Sequence, residues 1–394
     1  MKKLISITIY ILITSNYIFA QNNLIIKDEN EIIKGNEQVD EYLPLIKNKR
    51  VAVVANASSV LKNIHLVDTL ISLNVNVVKI FSPEHGFRGN ADAGEKVNDS
   101  IDVKTGLPII SLYGKHKEPT KNDLSDVDVV LFDLQDVGVR FYTYISTLYY
   151  VLKSCALNNK LLIVLDRPNP NGFYVDGPVL DTNYRSFVGI IPIPIVYGMT
   201  IGELANMMNN EAKYRPVVNS ANLKIIKLKN YTHNTLVKIH SKPSPNLSSW
   251  QSIILYPSLG LFEGTVVSVG RGTDKPFQII GHPDYPNKNF CFTPKSNAIS
   301  KNPKYKDKLC CGLNLSNDDY LIHHPKKINL QWLIHFYKTL SVKNFFDKNF
   351  NYHAGNSELQ RDIKKGLSEE KIRLKWQKDL EEFEKVRKKY LLYE

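Results

Sequence analysis

Between residues 51 and 165 the chain repeats one pattern: a short, largely apolar run, then a longer stretch of mixed residues. The runs are Val51–Ala55, Val75–Phe81, Ile109–Tyr113, Val127–Leu134 and Leu161–Leu165, with helices expected at about 64–73 and 142–157. A strand with one wet face alternates apolar and polar residues. These runs do not alternate, so both faces of each are expected to be covered, which is the signature of a parallel sheet flanked by helices. The pattern predicts an α/β chain with a Rossmann-like parallel-sheet domain over 49–214. Prolines at 192 and 194 assign Ile190–Val196 to an edge or an extended crossing segment. Thr200 and Glu203 form a capping-box pattern that opens a helix through about Asn209.

From 215 the pattern loosens. A strand-like run at 223–228, an apolar segment at 250–262 and two β-rich stretches around a polar turn in 264–281 precede expected helices at 328–339, 356–365 and 369–388. This predicts a smaller α+β domain over 215–394 that completes a cleft. The last helix, dense in Lys and Glu, reads as a solvated face. Residues 21–48 read as a lead-in segment.

Ligands of parallel sheets gather outside the carboxyl ends of the strands. Here those ends are polar: Asn56, then Ser82-Pro83-Glu84-His85-Gly86, then Asp133, Gln135 and Asp136, then Asp166-Arg167-Pro168-Asn169. One such group alone would serve as a cap or a turn; carboxylates at several ends predict a shared crevice. Glu84 stands out, because Pro83 stiffens its turn and Gly86 permits close approach. Glycoside hydrolysis uses one carboxylic acid to protonate the leaving oxygen and a second group to activate water or attack. Asp133, Asp136 and Asp166 are the candidate partners of Glu84. The same oxygen ligands would suit a divalent metal, so a metal-dependent hydrolase is a second reading.

Arg88, Arg140, Arg167 and Arg271 offer planar forks for a carboxylate or phosphate, although Arg167 beside Asp166 equally suits an internal ion pair. Tyr142 and Tyr144, close after Arg140, would give a sugar ring aromatic and hydroxyl neighbours, or else form the first turn of a core-packed helix.

Several classes fall away. No GxGxxG follows the first strand, and GxxxxGK[ST], HExxH and GxSxG are missing from the chain. Ser59-Val60-Leu61-Lys62 and Lys104-Thr105-Gly106 match two marks of penicillin-binding enzymes, but they lie close together inside the βαβ series without an SDN, and read as chance. The net charge of +12 suits an anionic partner. No basic stripe interleaved with aromatics accompanies it, so nucleic acid is not expected as a partner. Lys2, Lys3, the apolar Leu4–Ile13 and Phe19-Ala20 before Gln21 read as a cleaved signal peptide over 1–20. The expected location is therefore exported, in the periplasm, with no stable membrane insertion after cleavage. Export permits a disulfide, with Cys291 paired to Cys310 or Cys311, while Cys155 reads as a core thiol. No Cys/His spacing suits a metal.

The blocks FSPEHGFRG, SLYG, DLQDVGVRFYTY, LDRPNP, GMTIGELA, YPSLGLFEGT, SVGRGTDKPFQIIG and HAGN…LQRDI occur in order over roughly 50–366. In these the chain resembles the YbbC/NamZ-like family, formerly a domain of unknown function and now associated with exo-acting β-N-acetylmuramidases. The resemblance implies a Rossmann-like N-terminal domain, a smaller C-terminal domain and an active site in the cleft between them. It implies removal of terminal non-reducing N-acetylmuramic acid from peptidoglycan fragments, with no cofactor. Glu84 falls on the family's acid/base position, with His85 and Arg88 on the same motif. The aromatic block lands on Arg140, Phe141, Tyr142, Thr143 and Tyr144, and later blocks place Glu263, Arg271 and Asp274 on the C-terminal side. Arg140 or Arg271 would then hold the lactyl carboxylate, and Tyr142 or Tyr144 would orient the sugar. Asp133 or Asp136 would be partners or structural supports. Asp166, Arg167 and Asn169 would join the substrate-binding set. The chain departs from the family after the IIG turn, where His282 and Tyr285 stand in place of a Trp contact, and in its HAGN block. A glycan-binding protein without turnover is the leading alternative.

Overall fold

The computed structural model describes residues 24–88, 99–317, 326–340 and 342–394. The expected signal peptide and the final Gly of the FSPEHGFRG block lie outside them. In chain order the elements begin with β1 (Ile25–Asp28), α1 (Val39–Ile46), β2 (Val51–Ala55), β3 (Val60–Leu61), β4 (Ile64–His65), α2 (Leu66–Ser72) and β5 (Val77–Ser82). Next come β6 (Ser100–Ile101), β7 (Pro108–Ser111), β8 (Val129–Asp133), α3 (Tyr144–Leu157), β9 (Leu161–Leu165), α4 (Ile201–Asn210) and β10 (Asn222–Ile226). The remainder is β11 (Thr235–Lys238), α5 (Trp250–Leu259), β12 (Ile279–His282), β13 (Cys291–Phe292), β14 (Cys310–Asn314), α6 (Gln331–Leu340), α7 (Phe350–Ala354), α8 (Glu358–Lys364) and α9 (Glu369–Arg387).

The main sheet has seven strands in the order β10-β9-β8-β2-β5-β7-β6. All neighbours are parallel except the short edge pair β6–β7. Counted along the chain, the six parallel strands lie in the order 3-2-1-4-5-6, that of many dinucleotide-binding sheets. The crossover between β7 and β8 departs from the doubly wound scheme, because residues 112–128 are turns rather than a helix. The architecture is thus a mixed, mostly parallel α/β sheet joined to a smaller C-terminal α+β region.

The uninterrupted apolar strands do what their composition requires. Val51, Val53 and Ala55 of β2 face a core built with α1 and α2. Ala52 and Val54 face the opposite core, which also takes in α3, α4 and most of the C-terminal region. That second core is continuous, so the C-terminal region packs on the sheet rather than standing apart from it.

Two expected boundaries shift. The run near 223, expected to open the second domain, is β10, and it pairs with β9 along its length; the sheet therefore continues past 215. The lead-in is part of the fold as well: β1 pairs in parallel with β11, and the Gly35 amide donates to the Asp166 carbonyl at 2.9 Å.

In the C-terminal region the stretch from Thr265 to Val269 forms isolated bridges, Thr265 with Phe346 and Ser268 with Gly281, instead of the expected strand. The strands β12-β14-β13 make a small antiparallel sheet whose register sets Cys291 opposite Cys311. These two form the disulfide, leaving Cys155 and Cys310 as buried thiols. Helix α9 is only half solvated. Its Ile372, Trp376, Leu380 and Phe383 enter the core, and Arg373 grips both oxygens of Asp176 at 2.7 and 2.8 Å. Among the described residues no helix is long and apolar enough to cross a membrane.

Candidate active site

Strand β5 ends at Ser82, and the next residues turn sharply. His85 and Gly86 take φ of 73° and 78°, the left-handed region that β-carbons resist, so a non-glycine residue is held there against its preference. The turn aims Glu84 at the start of α3. There the Thr143 hydroxyl donates to Glu84 Oε2 at 2.8 Å, and the Tyr113 hydroxyl, just past β7, also meets the Glu84 carboxylate. Burial and the neighbouring Glu84 charge push the Tyr113 phenol above its usual range.

Glu84 and His85 stand at the wall of a cavity of about 200 Å³. Aromatic side chains form much of its lining: Tyr113, Phe141, Tyr142, Phe187, Tyr256 and Phe277. Phe141, Tyr142, Tyr256 and Phe277 pack edge to face, with centroids 5.0 to 6.0 Å apart, which fixes the walls. Glu263 and Arg271 close the C-terminal side. Arg271 Nε and Nη2 each lie 2.9 Å from Glu263 Oε1, and its guanidinium sits over the Phe277 ring at 4.9 Å. Ser244, Asn246 and His353 complete the polar lining. Two carboxylates, a guanidinium, hydroxyls and aromatic faces around a small cavity suit a polar ring with an anionic substituent.

Of the expected site residues, Glu84, His85, Tyr142, Glu263 and Arg271 meet at this cavity. The others lie elsewhere, each for a visible reason. Asp133 and Arg167, at the ends of β8 and β9, form a fully buried two-pronged pair at 2.6 and 2.8 Å. Asn36 adds a bond to Asp133, and Arg167 also reaches the Ser58 carbonyl. Asp136 accepts from the Tyr197 hydroxyl and the Gly138 amide, and burial pushes its carboxyl up to about 6.

Asp166 accepts from Thr200, Gly202 and Tyr393 at 2.5 to 2.8 Å, and burial raises it likewise to about 6. Asn169 donates to the Met199 carbonyl. Tyr144 is buried, accepting from Asn56 and donating to the Pro243 carbonyl. Arg140 differs most from expectation. Its guanidinium is buried and donates to four carbonyls, those of Pro178, Ile193, His353 and Ala354. Burial lowers its pKa to about 9. Gly355, at φ 83°, lets this chain approach: a β-carbon there would lie 2.4 Å from Arg140 Nη2.

Arg88 pairs with Asp102 and Asp68, Asp274 is exposed, and His282 is buried beside Asp284 and Tyr305. Among the described residues no three His, Cys, Asp or Glu side chains converge as metal ligands, and the strand-end aspartates are held in separate networks. Sequence reasoning passed over Tyr113, Ser244, Asn246, Tyr256 and Phe187 as site residues. Tyr113 stood within reach, since it ends an apolar run in a parallel sheet.

The sheet and the carboxylate-bearing cavity at its strand ends define an α/β protein whose candidate site lies at the carboxyl edge of a mostly parallel sheet. The models of the exo-β-N-acetylmuramidase NamZ family match both halves, the N-terminal one over residues 51–251 and the C-terminal one over 254–393, and the chain belongs to this family. A relative, the peptidoglycan β-N-acetylmuramidase NamZ of Bacillus subtilis (strain 168), is 38% identical over 374 residues, covering 90% of this chain and 89% of its own. Two crystal structures of DUF1343-family proteins from Bacteroides fragilis NCTC 9343 share the fold. They have TM-scores of 0.85 and 0.78 at 45% and 29% identity, and each match covers 92% of this chain and 99% of that one. Membership gives family-level support for glycosidic-bond hydrolysis on peptidoglycan-derived sugars.

Proposed function

We propose that the protein is an exo-β-N-acetylmuramidase that removes the terminal non-reducing N-acetylmuramic acid of peptidoglycan fragments. The observation that carries this reading is the Glu84 carboxylate, fixed by Thr143 at 2.8 Å on the wall of a cavity that Glu263 and Arg271 also line. Glu84 is the acid/base. Protonated, it gives its proton to the glycosidic oxygen as the bond to the anomeric carbon breaks; water then supplies hydroxide to that carbon and its proton returns to a carboxylate. Glu263 replaces Asp133 and Asp136 as the second carboxyl, because it lines the same cavity and they do not. Arg271 replaces Arg140 as the group that meets the lactyl carboxylate, since Arg140 is committed to backbone carbonyls. Tyr142 orients the sugar ring. Asp133, Arg167, Asp166, Asn169 and Tyr144 act as supports beneath the site. No cofactor enters this mechanism. The apolar start of the chain and the Cys291–Cys311 disulfide support an exported, periplasmic protein.

The test is sugar release from a chromogenic β-glycoside of N-acetylmuramic acid and from its N-acetylglucosamine counterpart, with and without chelator. Release is expected from the muramic form alone, unaffected by chelator. Glu84→Gln should lower kcat by about a hundredfold to ten-thousandfold with an unchanged melting temperature. Binding without release would make the protein a glycan-binding one. Activity lost to chelator and restored by metal would favour metal-assisted hydrolysis. The anomer released distinguishes inversion from retention.

A further inference from the structure

One wall of the cavity is a turn that packs on α3. Residues 186–189 form a tight turn, with the Ser186 and Gly189 backbones bonded to each other in both directions at 2.9 and 3.1 Å. The turn presents Phe187 and Val188 at the cavity. It is anchored to α3 by Ser146, whose hydroxyl donates to the Phe187 carbonyl at 2.7 Å. Beyond Phe187 the aromatic surface does not stop. Tyr113 meets Phe187 edge on at 5.8 Å, Tyr150 lies 6.4 Å from Phe187 with ring planes only 16° apart, and Tyr149 follows Tyr150 at 5.5 Å. Phe187, Tyr149 and Tyr150 are partly exposed. Because α3 rises about 1.5 Å per residue, Tyr150 stands about 10 Å along the helix from Thr143, the residue that holds Glu84.

We propose that Phe187 and Tyr150 form an aromatic track that binds the leaving part of the substrate, the saccharide chain beyond the scissile bond. Pyranose rings carry an apolar face of C–H groups that packs on aromatic rings, and a row of neighbouring aromatic side chains can contact successive sugars of an extended chain. The surroundings favour an anionic chain. Lys117 lies over the Phe187 ring at 5.3 Å, and Lys153 and Arg185 act on Tyr150, with Glu118 paired to Lys153 at 2.8 Å. The track thus adds a chain-length preference to the cavity, which by itself takes one sugar. This inference rests on the proposed muramidase reading, and its test separates the two.

Kinetics are measured on three substrates: the methyl β-glycoside of N-acetylmuramic acid, the disaccharide with N-acetylglucosamine as leaving group, and a tetrasaccharide of the same repeat. Wild-type kcat/KM should rise with length. Tyr150→Ala should lower kcat/KM on the tetrasaccharide by about tenfold, through KM, and leave the disaccharide and methyl glycoside within about twofold. Phe187→Leu, which keeps an apolar side chain, should lower it on both longer substrates. Binding of the tetrasaccharide to the Glu84→Gln protein is titrated in parallel, and Tyr150→Ala in that background should weaken it by about tenfold. Equal losses on all three substrates, or no loss of tetrasaccharide turnover or binding, would overturn the track. Absence of turnover in the wild type would sink the muramidase reading alone, because the binding titration still reports on Tyr150.

Discussion

At the ends of β8 and β9 the carboxylates turn inward, whereas at the end of β5 one turns toward open space. Asp133 is gripped by Arg167 from the neighbouring strand, and Asp166 is enclosed by Thr200, Gly202 and Tyr393. Parallel sheets of this strand order usually open a ligand crevice between β2 and β8, and Arg167 reaches across to it, bonding the Ser58 carbonyl that follows β2. Here the chain fills it with its own side chains. Thr143 and Tyr113 meet the Glu84 carboxylate, which stands on the wall of a cavity. The difference teaches that a strand-end carboxylate becomes scaffold or site according to what its neighbouring strand and the C-terminal region bring to it. Position at the sheet edge alone does not decide.

The sharpest way to break this comparison is to open the inward cluster. Arg167→Met leaves Asp133 charged, buried and without its guanidinium, so it should cost about 3–5 kcal/mol in urea unfolding, far more than Glu84→Gln. The companion Asp133→Leu/Arg167→Met should recover much of that loss, because two apolar groups need no partners. If Arg167→Met unfolded like the wild type but lost substrate affinity, the strand-end pair would belong to the site instead.

A second test uses pH. Asp166 ionises at about 6 in the folded chain against an ordinary 3.8. Its raised value favours folding while it is protonated, so that stabilisation is fully present below about pH 4 and lost as pH rises through about 6. Asp166→Asn stays neutral throughout. Its stability relative to the wild type should therefore improve by up to roughly 3 kcal/mol between about pH 4 and pH 7, read from urea midpoints at each pH. Parallel pH profiles would contradict the enclosed position of Asp166. The smallest effect is expected at the cavity. Arg271→Lys keeps the charge and loses the fork, and should raise KM for a muramic substrate by about tenfold without moving the melting temperature. An equal effect on a substrate lacking the lactyl carboxylate would remove Arg271 from anion recognition.

Much of this was legible in the sequence, and the limits are physical. The strands β2, β5, β8 and β9 follow from short, largely apolar runs, helix α3 from the longer segment expected at 142–157, and the Thr200–Glu203 capping box forms as its spacing implies. Glu84 was legible because a Pro and a Gly around one acid mark a turn that presents a side chain. The placement of β10 was not. Alternation identifies a strand but not its partner, and Asn222–Ile226 reaches β9 only after a long connection. The separation of Glu84 from Asp133 was also hidden, because it depends on Arg167 bonding across the sheet rather than on local pattern. Arg140 misled for a related reason: its neighbours in sequence line the cavity, while two of its four carbonyl partners, His353 and Ala354, lie more than two hundred residues away. Arg271 stood among the candidate forks, but its place on the C-terminal side of the cleft, and Glu263 altogether, came from family resemblance, since no periodicity in a turn-rich segment reveals which side chains face a distant strand end.

The hydroxyl of Tyr393 on Asp166 has a consequence for how the molecule comes into being. The two residues are separated by 227 positions, and Arg140 and Ala354 by 214. A chain made from its amino end exposes the pocket around Asp166 until almost the whole sequence has emerged, and loop closure over that distance must precede the contact. The contacts that seal the core around Asp166 and Arg140 therefore form only after the C-terminal region has been made, and until then those buried polar groups lack their native partners.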